Sequence, residues 1–205
     1  MAKRLVLTAL RLLLLNIVAA VIVLFFLGIE NAIVQISIES LFAVVLWIFV
    51  WLETAGKGQN DVKKDKIIKL KQQSPDAGQF TAEPLQFKPW FGFAAGALSQ
   101  LPTIGVIVAY FIVDATTAES ILKPVLNVMN INYVHISNML NFFPFFYLIP
   151  SLVFITVAGL GYLNGPAQQR RLETIIERNK AKKAKRVQDD LKAKKAHPKK
   201  SGAKR

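Results

Sequence analysis

Four long apolar blocks, separated by short polar or charged stretches, dominate the chain. The first, LRLLLLNIVAAVIVLFFLG, runs from Leu10 to Gly28 behind Met-Ala-Lys-Arg. The second, AIVQISIESLFAVVLWIFVWL, runs from Ala32 to Leu52 and follows after only Ile29-Glu30-Asn31. A third extends from about Trp90 to Val113 and a fourth from about Phe142 to Leu163. A helix rises ~1.5 Å per residue and the hydrocarbon of a bilayer is ~30 Å thick, so blocks of roughly 18 residues or more predict membrane spans. The expected spans are 5–28, 32–52, 90–113 and 142–163, arranged as two helical hairpins. The fold class is therefore an all-α integral membrane protein with a 1–163 membrane domain and a 164–205 tail.

The first block could imitate a secretory signal. Its apolar run is longer than such signals use, and it ends in Phe25-Phe26-Leu27 instead of a small-residue cleavage site, so it reads as a retained anchor. Arg11 lies near its inner end, where a long side chain reaches the headgroups. Trp47 and Trp51 suit an interfacial aromatic belt at the far end of the second block.

Two intervening segments also carry helical patterns. In the 53–88 loop, Asn60 as N-cap and Pro75 as stop bound a short basic helix over 61–73, with Val62, Ile67, Ile68 and Leu70 on its apolar side. That helix reads equally as an interfacial element on anionic lipid or as a solvated linker. Pro84 and Pro89 stiffen the approach to the third span. In the 114–141 loop, Thr116-x-x-Glu119 matches a capping box, and Ile121, Leu122, Val125, Leu126 and Met129 follow at helical spacing. This pattern predicts a helix lying in the outer interface, apolar face down. His135 has no other His, Cys or acidic residue close in sequence, so it reads as a polar interfacial side chain and not a metal ligand.

Charge then orients the spans. The 205 residues are 53% hydrophobic, yet the net charge is +13. Lys3, Arg4 and Arg11, seven lysines in the 53–88 loop and fifteen Lys/Arg after residue 163 fall on one side; Lys123 alone falls on the other. Basic residues near span ends stay cytoplasmic, so both termini are expected inside, in the plasma membrane of a bacterium. The chain has no cysteine, which excludes disulfides and thiolate metal sites, and no Asn-x-Ser/Thr sequon.

The tail contains RNKAKKAKR, with Arg170, Arg171, Arg178, Lys180, Lys182, Lys183, Lys185 and Arg186 as its candidate lipid- or partner-binding cations. Gly165-Pro166 marks a break with proline at a first helical position, Leu172, Ile175, Ile176, Ala184, Val187 and Leu191 recur at helical spacing, and disorder is expected from Pro198. Each cation near an anionic membrane surface contributes about 1 kcal/mol, so anionic lipid ranks first among the expected partners. An acidic protein ranks second. Nucleic acid or the ribosome ranks third, because no aromatic follows Tyr162 to stack on bases.

Inside the spans, Glu39, Ser99, Gln100, Pro102, Pro150 and Ser151 form a candidate polar layer. With Trp51, Trp90 and Tyr162 as inner markers, Glu39, Gln100 and Ser151 all fall ~15–18 Å deep by helical rise. Asn16 joins them if the first span begins near Arg4. Glu39 and Glu53 are separated by ~21 Å of helix, less than the hydrocarbon thickness, and Glu53 borders the tryptophans, so Glu39 is the residue expected at membrane depth. A carboxylate there needs donors or a proton, and Gln100 is the expected partner. Two prolines at matched depth would free backbone carbonyls toward a cavity; the plainer reading is a hydrogen-bonded packing layer. Gly92-x-x-x-Gly96 predicts close helix packing, within the chain or between copies of a homo-oligomer.

No Walker glycine loop, His-Glu-x-x-His or nucleophile with a credible base occurs, so neither an enzyme nor a cofactor is expected. What the sequence supports is a non-enzymatic membrane adaptor or assembly subunit whose basic tail engages anionic lipid or a partner. The alternative is a small channel or transporter component built around Glu39 and Gln100.

Overall fold

The structure is a computed structural model that describes residues 1–26, 28–73, 85–140 and 143–196. Pro75, Pro84 and the tail from Pro198 onward lie outside the described residues. The chain divides into two units, Met1–Pro166 and Ala167–Arg205.

All regular elements among the described residues are helical. They are α1 (Ala2–Leu24), α2 (Ala32–Gln72), α3 (Phe91–Ile112), α4 (Ala115–Thr117), α5 (Lys123–Met129), α6 (Val134–Leu140) and α7 (Leu148–Ala196). A π-turn at Ala118–Leu122 and 3-10 turns at Ile131–Tyr133 and Phe145–Tyr147 complete the connection from α3 to α7. Four helices, α1, α2, α3 and the apolar part of α7, are long and apolar enough to cross a membrane.

In hydrocarbon the lipid tails are as apolar as leucine, so helices associate through close contact and polar bonds more than through the hydrophobic effect. The first unit is built accordingly. Leu12 and Ala19 of α1, Leu46 and Val50 of α2, Ala95 of α3, and Phe154 and Ala158 of α7 form one buried cluster. A second joins Ala43 of α2 and Ile107 of α3 to Leu126, Tyr133, Phe146 and Tyr147 of the α3–α7 connection. The Gly92/Gly96 pair packs within the chain: a Cβ on Gly92 would stand 2.6 Å from the Ala158 carbonyl oxygen, and one on Gly96 would stand 3.0 Å from Ile155 Cα.

Several element boundaries differ from the sequence reading, each for a physical reason. Asn60 does not open a helix, because α2 continues through it to Gln72 without interruption. The continuation buries Thr54, Ala55, Gly58, Asp61 and Ile68, spaced at three, four and seven residues along one face. Asn31 is the true cap of α2: its side-chain oxygen accepts from the backbone N–H of Ile33 at 3.0 Å and of Val34 at 3.2 Å. Asp114, not Thr116, caps the next segment, accepting from the Thr117 N–H at 2.8 Å. The 114–141 stretch is broken into short helices, and it turns Leu126, Ile131 and Tyr133 inward; Ile121, Val125 and Val128 stay exposed. Pro166 lies inside α7 and does not begin a helix.

Candidate functional site

Three polar clusters lie within the first unit, one on each side of the apolar core and one within it. The first centres on Glu39, which α2 places two turns beyond its Asn31 cap. Glu39 is 0% exposed, and its carboxylate is taken by His135 of α6. The His135 backbone N–H donates to both carboxylate oxygens, at 3.3 and 3.2 Å, and the ring Nδ1 stands 2.6 Å from Oε1. The expected pairing of Glu39 with Gln100 is therefore corrected: the partner comes from the α3–α7 connection, 96 residues away. Nearby, both amide atoms of Asn132 are buried with no hydrogen-bond partner among the described residues. Such atoms in a native fold call for water or a ligand.

The second cluster is small. Gln100 Oε1 accepts from Ser151 Oγ at 3.2 Å, joining α3 to α7, and the same hydroxyl lies 2.9 Å from the Tyr147 carbonyl. Ser99 turns back to its own helix, donating to the Gly96 carbonyl at 2.7 Å. The two prolines are not equivalent. Pro102 interrupts α3 from within, whereas Pro150 occupies the first turn of α7, where a missing N–H leaves no bond unmade. The expectation of two matched helix breaks is thus corrected. Pro102 and Thr103 line a groove of about 350 Å³ with Asn16, Ile17 and Ala20 of α1 and Val128 and Met129 of α5. Pro150 lines a different groove, of about 250 Å³, with Ser40 and Trp47 of α2 and Tyr133.

The third cluster was not singled out from the sequence. Asp61, 1% exposed, receives the Arg4 guanidinium on Oδ1 and the Tyr162 hydroxyl on Oδ2, the latter at 2.8 Å. Arg4 also donates to Gln86 and lies 5.5 Å from the centre of the Phe91 ring. Phe87 stacks on Tyr162 with ring centres 5.1 Å apart. One turn along α2, Asp65 accepts the backbone N–H of Gln86 at 2.5 Å and of Phe87 at 3.0 Å. The cluster thus clips the start of α1, the second half of α2, the approach to α3 and the middle of α7 together. Its signal was the helical recurrence of Thr54, Gly58, Asp61 and Asp65, which continues the second block past the point where hydropathy ends. Arg11, expected at the headgroups, pairs with Glu53 at 3.3 Å, an exposed contact that contributes little.

In the second unit, Gln169 donates to Glu173 at 2.8 Å along α7. Arg170, Arg171, Arg178, Lys180, Lys182, Lys183, Lys185 and Arg186 are all exposed. So are Leu172, Ile175, Ile176 and Val187.

No family model, characterised protein or solved structure matches this chain, so the reading of its function rests on these residues.

Proposed function

We propose that the protein is a membrane-anchored adaptor or assembly subunit whose basic C-terminal helix engages an anionic surface. The observation that carries this reading is the composition of the 167–196 stretch of α7. Nine exposed cations there, the eight above and Lys192, accompany Leu172, Ile175, Ile176 and Val187, which are also exposed and recur on one side of the helix. A helix with both features binds where apolar burial and charge neutralisation occur together, at a headgroup boundary or on an acidic partner. The spans form two hairpins with both termini on the cytoplasmic side of a bacterial plasma membrane, because the cations gather on that face. Homo-oligomers and acidic protein partners are compatible with this arrangement; nucleic acid is a weaker candidate.

The test uses the full chain, whose lack of cysteine allows single labels. A fluorophore at Val187→Cys is read against headgroup quenchers in nanodiscs. Strong quenching in anionic discs, absent in zwitterionic discs and in a variant with residues 178, 180, 182, 183, 185 and 186 changed to Gln, supports lipid engagement. Equal quenching in all three removes it. An impermeant thiol reagent that labels Ser120→Cys but spares Val187→Cys in intact cells supports the orientation.

The transport reading has less support, since His135 and Ser151 occupy the polar groups that a path would need. Its own test is solute flux in proteoliposomes. Unchanged flux in Glu39→Gln and Gln100→Ala removes it.

A further inference from the structure

The Glu39–His135 contact has a property that neither packing nor the adaptor reading uses. A fully buried carboxylate is stable only if its charge is neutralised or its proton retained. Among the described residues no lysine or arginine bonds Glu39. The arginines of α1 are elsewhere: Arg4 binds Asp61 and Arg11 binds Glu53, towards the other end of α2, and Lys3 lies in the same first turn as Arg4. On α3, Tyr110 is engaged by Glu119. Tyr147, in the turn before α7, lies within electrostatic reach of Glu39, but its hydroxyl donates to Asn127 Oδ1 at 2.8 Å. The charge of Glu39 is therefore balanced by whatever proton the His135 ring carries.

We propose that Glu39 and His135 form a proton-binding site that seats the α3–α7 connection on α2. With one shared proton the pair is an imidazolium against a carboxylate, neutral as a unit and joined by a charge-assisted bond. Release of that proton leaves a net negative charge in a buried site. The proton has a route, because the His135 side chain keeps 29% exposure while Glu39 has none. What the proton stabilises is the seat itself. Both bonding groups of His135, ring and backbone, belong to the connection, and Tyr133, two residues earlier, is buried against α2 and α3 side chains. Ser137, two residues later, is fully buried. Deprotonation is thus expected to lift residues 131–140 from α2, and protonation to return them.

The full-length chain in nanodiscs tests this with two single-cysteine reporters. Ser137→Cys places a thiol in the buried seat, at a position 0% exposed. Met139→Cys places one at a position 72% exposed. The ratio of their labelling rates cancels the pH dependence of thiol chemistry and reports opening alone. Imidazole changes charge between about pH 5 and 8. Raising the pH through that range is expected to increase the ratio several-fold. Glu39→Gln retains an acceptor for the His135 N–H, and His135→Asn retains the N–H itself, so each removes the proton site and leaves the backbone bond. Both variants, and their combination, are expected to give a flat ratio. A flat ratio in the parent chain, or a slope that survives in either variant, overturns the proposal. If Glu39→Gln fails to fold, His135→Asn still decides the matter.

Discussion

Tyr162 donates its hydroxyl to Asp61 Oδ2 at 2.8 Å, joining α7 to α2 across 101 residues of sequence. The opposite oxygen of the same carboxylate holds Arg4, so one buried aspartate ties three helices. Removing it takes the acceptor from the Tyr162 phenol and leaves the Arg4 guanidinium with the neutral Gln86 amide oxygen in place of a carboxylate. Asp61→Ala is expected to cost about 3 kcal/mol, the lower end for a broken buried pair because Arg4 keeps some exposure. Tyr162→Phe, which removes one bond to a charged acceptor, costs roughly 1.5–3 kcal/mol. Combined, the two substitutions cost less than their sum, since they share a partner. Unfolding in mild detergent reads all three. Additive losses would show that the two bonds act separately.

The crossing of α2 and α7 beside this cluster requires a residue without a side chain. A Cβ on Gly58 would fall within the contact distance of the Tyr162 carbonyl oxygen, whereas one on Gly56 would meet nothing within 4 Å. The two glycines lie two residues apart on the same helix, so helix propensity affects them alike. Gly56→Ala is expected to stabilise by about 0.5–1 kcal/mol, the gain from replacing glycine in a helix interior. Gly58→Ala is expected to destabilise by about 1–3 kcal/mol, because the neighbouring backbone has to move. Opposite shifts in melting temperature check this; a shift of the same sign at both positions would contradict the crossing.

How much of this was legible in the sequence depends on the range of each signal. The four spans were, because eighteen or more apolar residues have few other uses. Glu39 stood out because its spacing from Glu53 is shorter than the membrane is thick. Its partner did not, because the pairing joins residues 96 apart and His135 shares no local pattern with Glu39. The extension of α2 was hidden for the opposite reason. Residues 61–73 read as a separate short helix opened by Asn60, while the small and polar residues at Thr54, Gly58 and Asp61 are the ones that carry α2 through that point unbroken. Composition averages over these, and periodicity alone preserves them.

The Gln100–Ser151 contact separates a packing layer from a working one. Ser151 has a single hydroxyl proton and two acceptors in reach, Gln100 Oε1 and the Tyr147 carbonyl. Each bond is therefore made part of the time. Interhelical hydrogen bonds in membranes average about 0.6 kcal/mol in any case. Ser151→Ala is expected to cost about that much, and Gln100→Leu to be close to neutral, since it removes a buried polar group along with its bond. Losses of several kcal/mol in unfolding assays would instead mark the layer as a tightly specified network.

Acid acts on a different part of the same connection, outside the spans. The Thr117 backbone N–H, and after it the Thr117 hydroxyl, hold the Asp114 carboxyl below its ordinary range. A depressed carboxyl contributes stability that is present above its ordinary value of 3.8 and is lost as the pH falls through the lower folded value. The protection of residues 115–122 against hydrogen exchange, relative to the intrinsic rate at each pH, is therefore expected to fall only in that acid window. Asparagine caps as well as aspartate but does not titrate there. Asp114→Asn should keep protection at neutral pH and lose the Asp114 part of the acid response. Glu119 is also held below its ordinary range, first by Lys123 and then by Tyr110, so Glu119→Gln separates its share. If the acid response survives in Asp114→Asn but disappears in Glu119→Gln, the pairing with Lys123 governs this end of the connection and the cap does not.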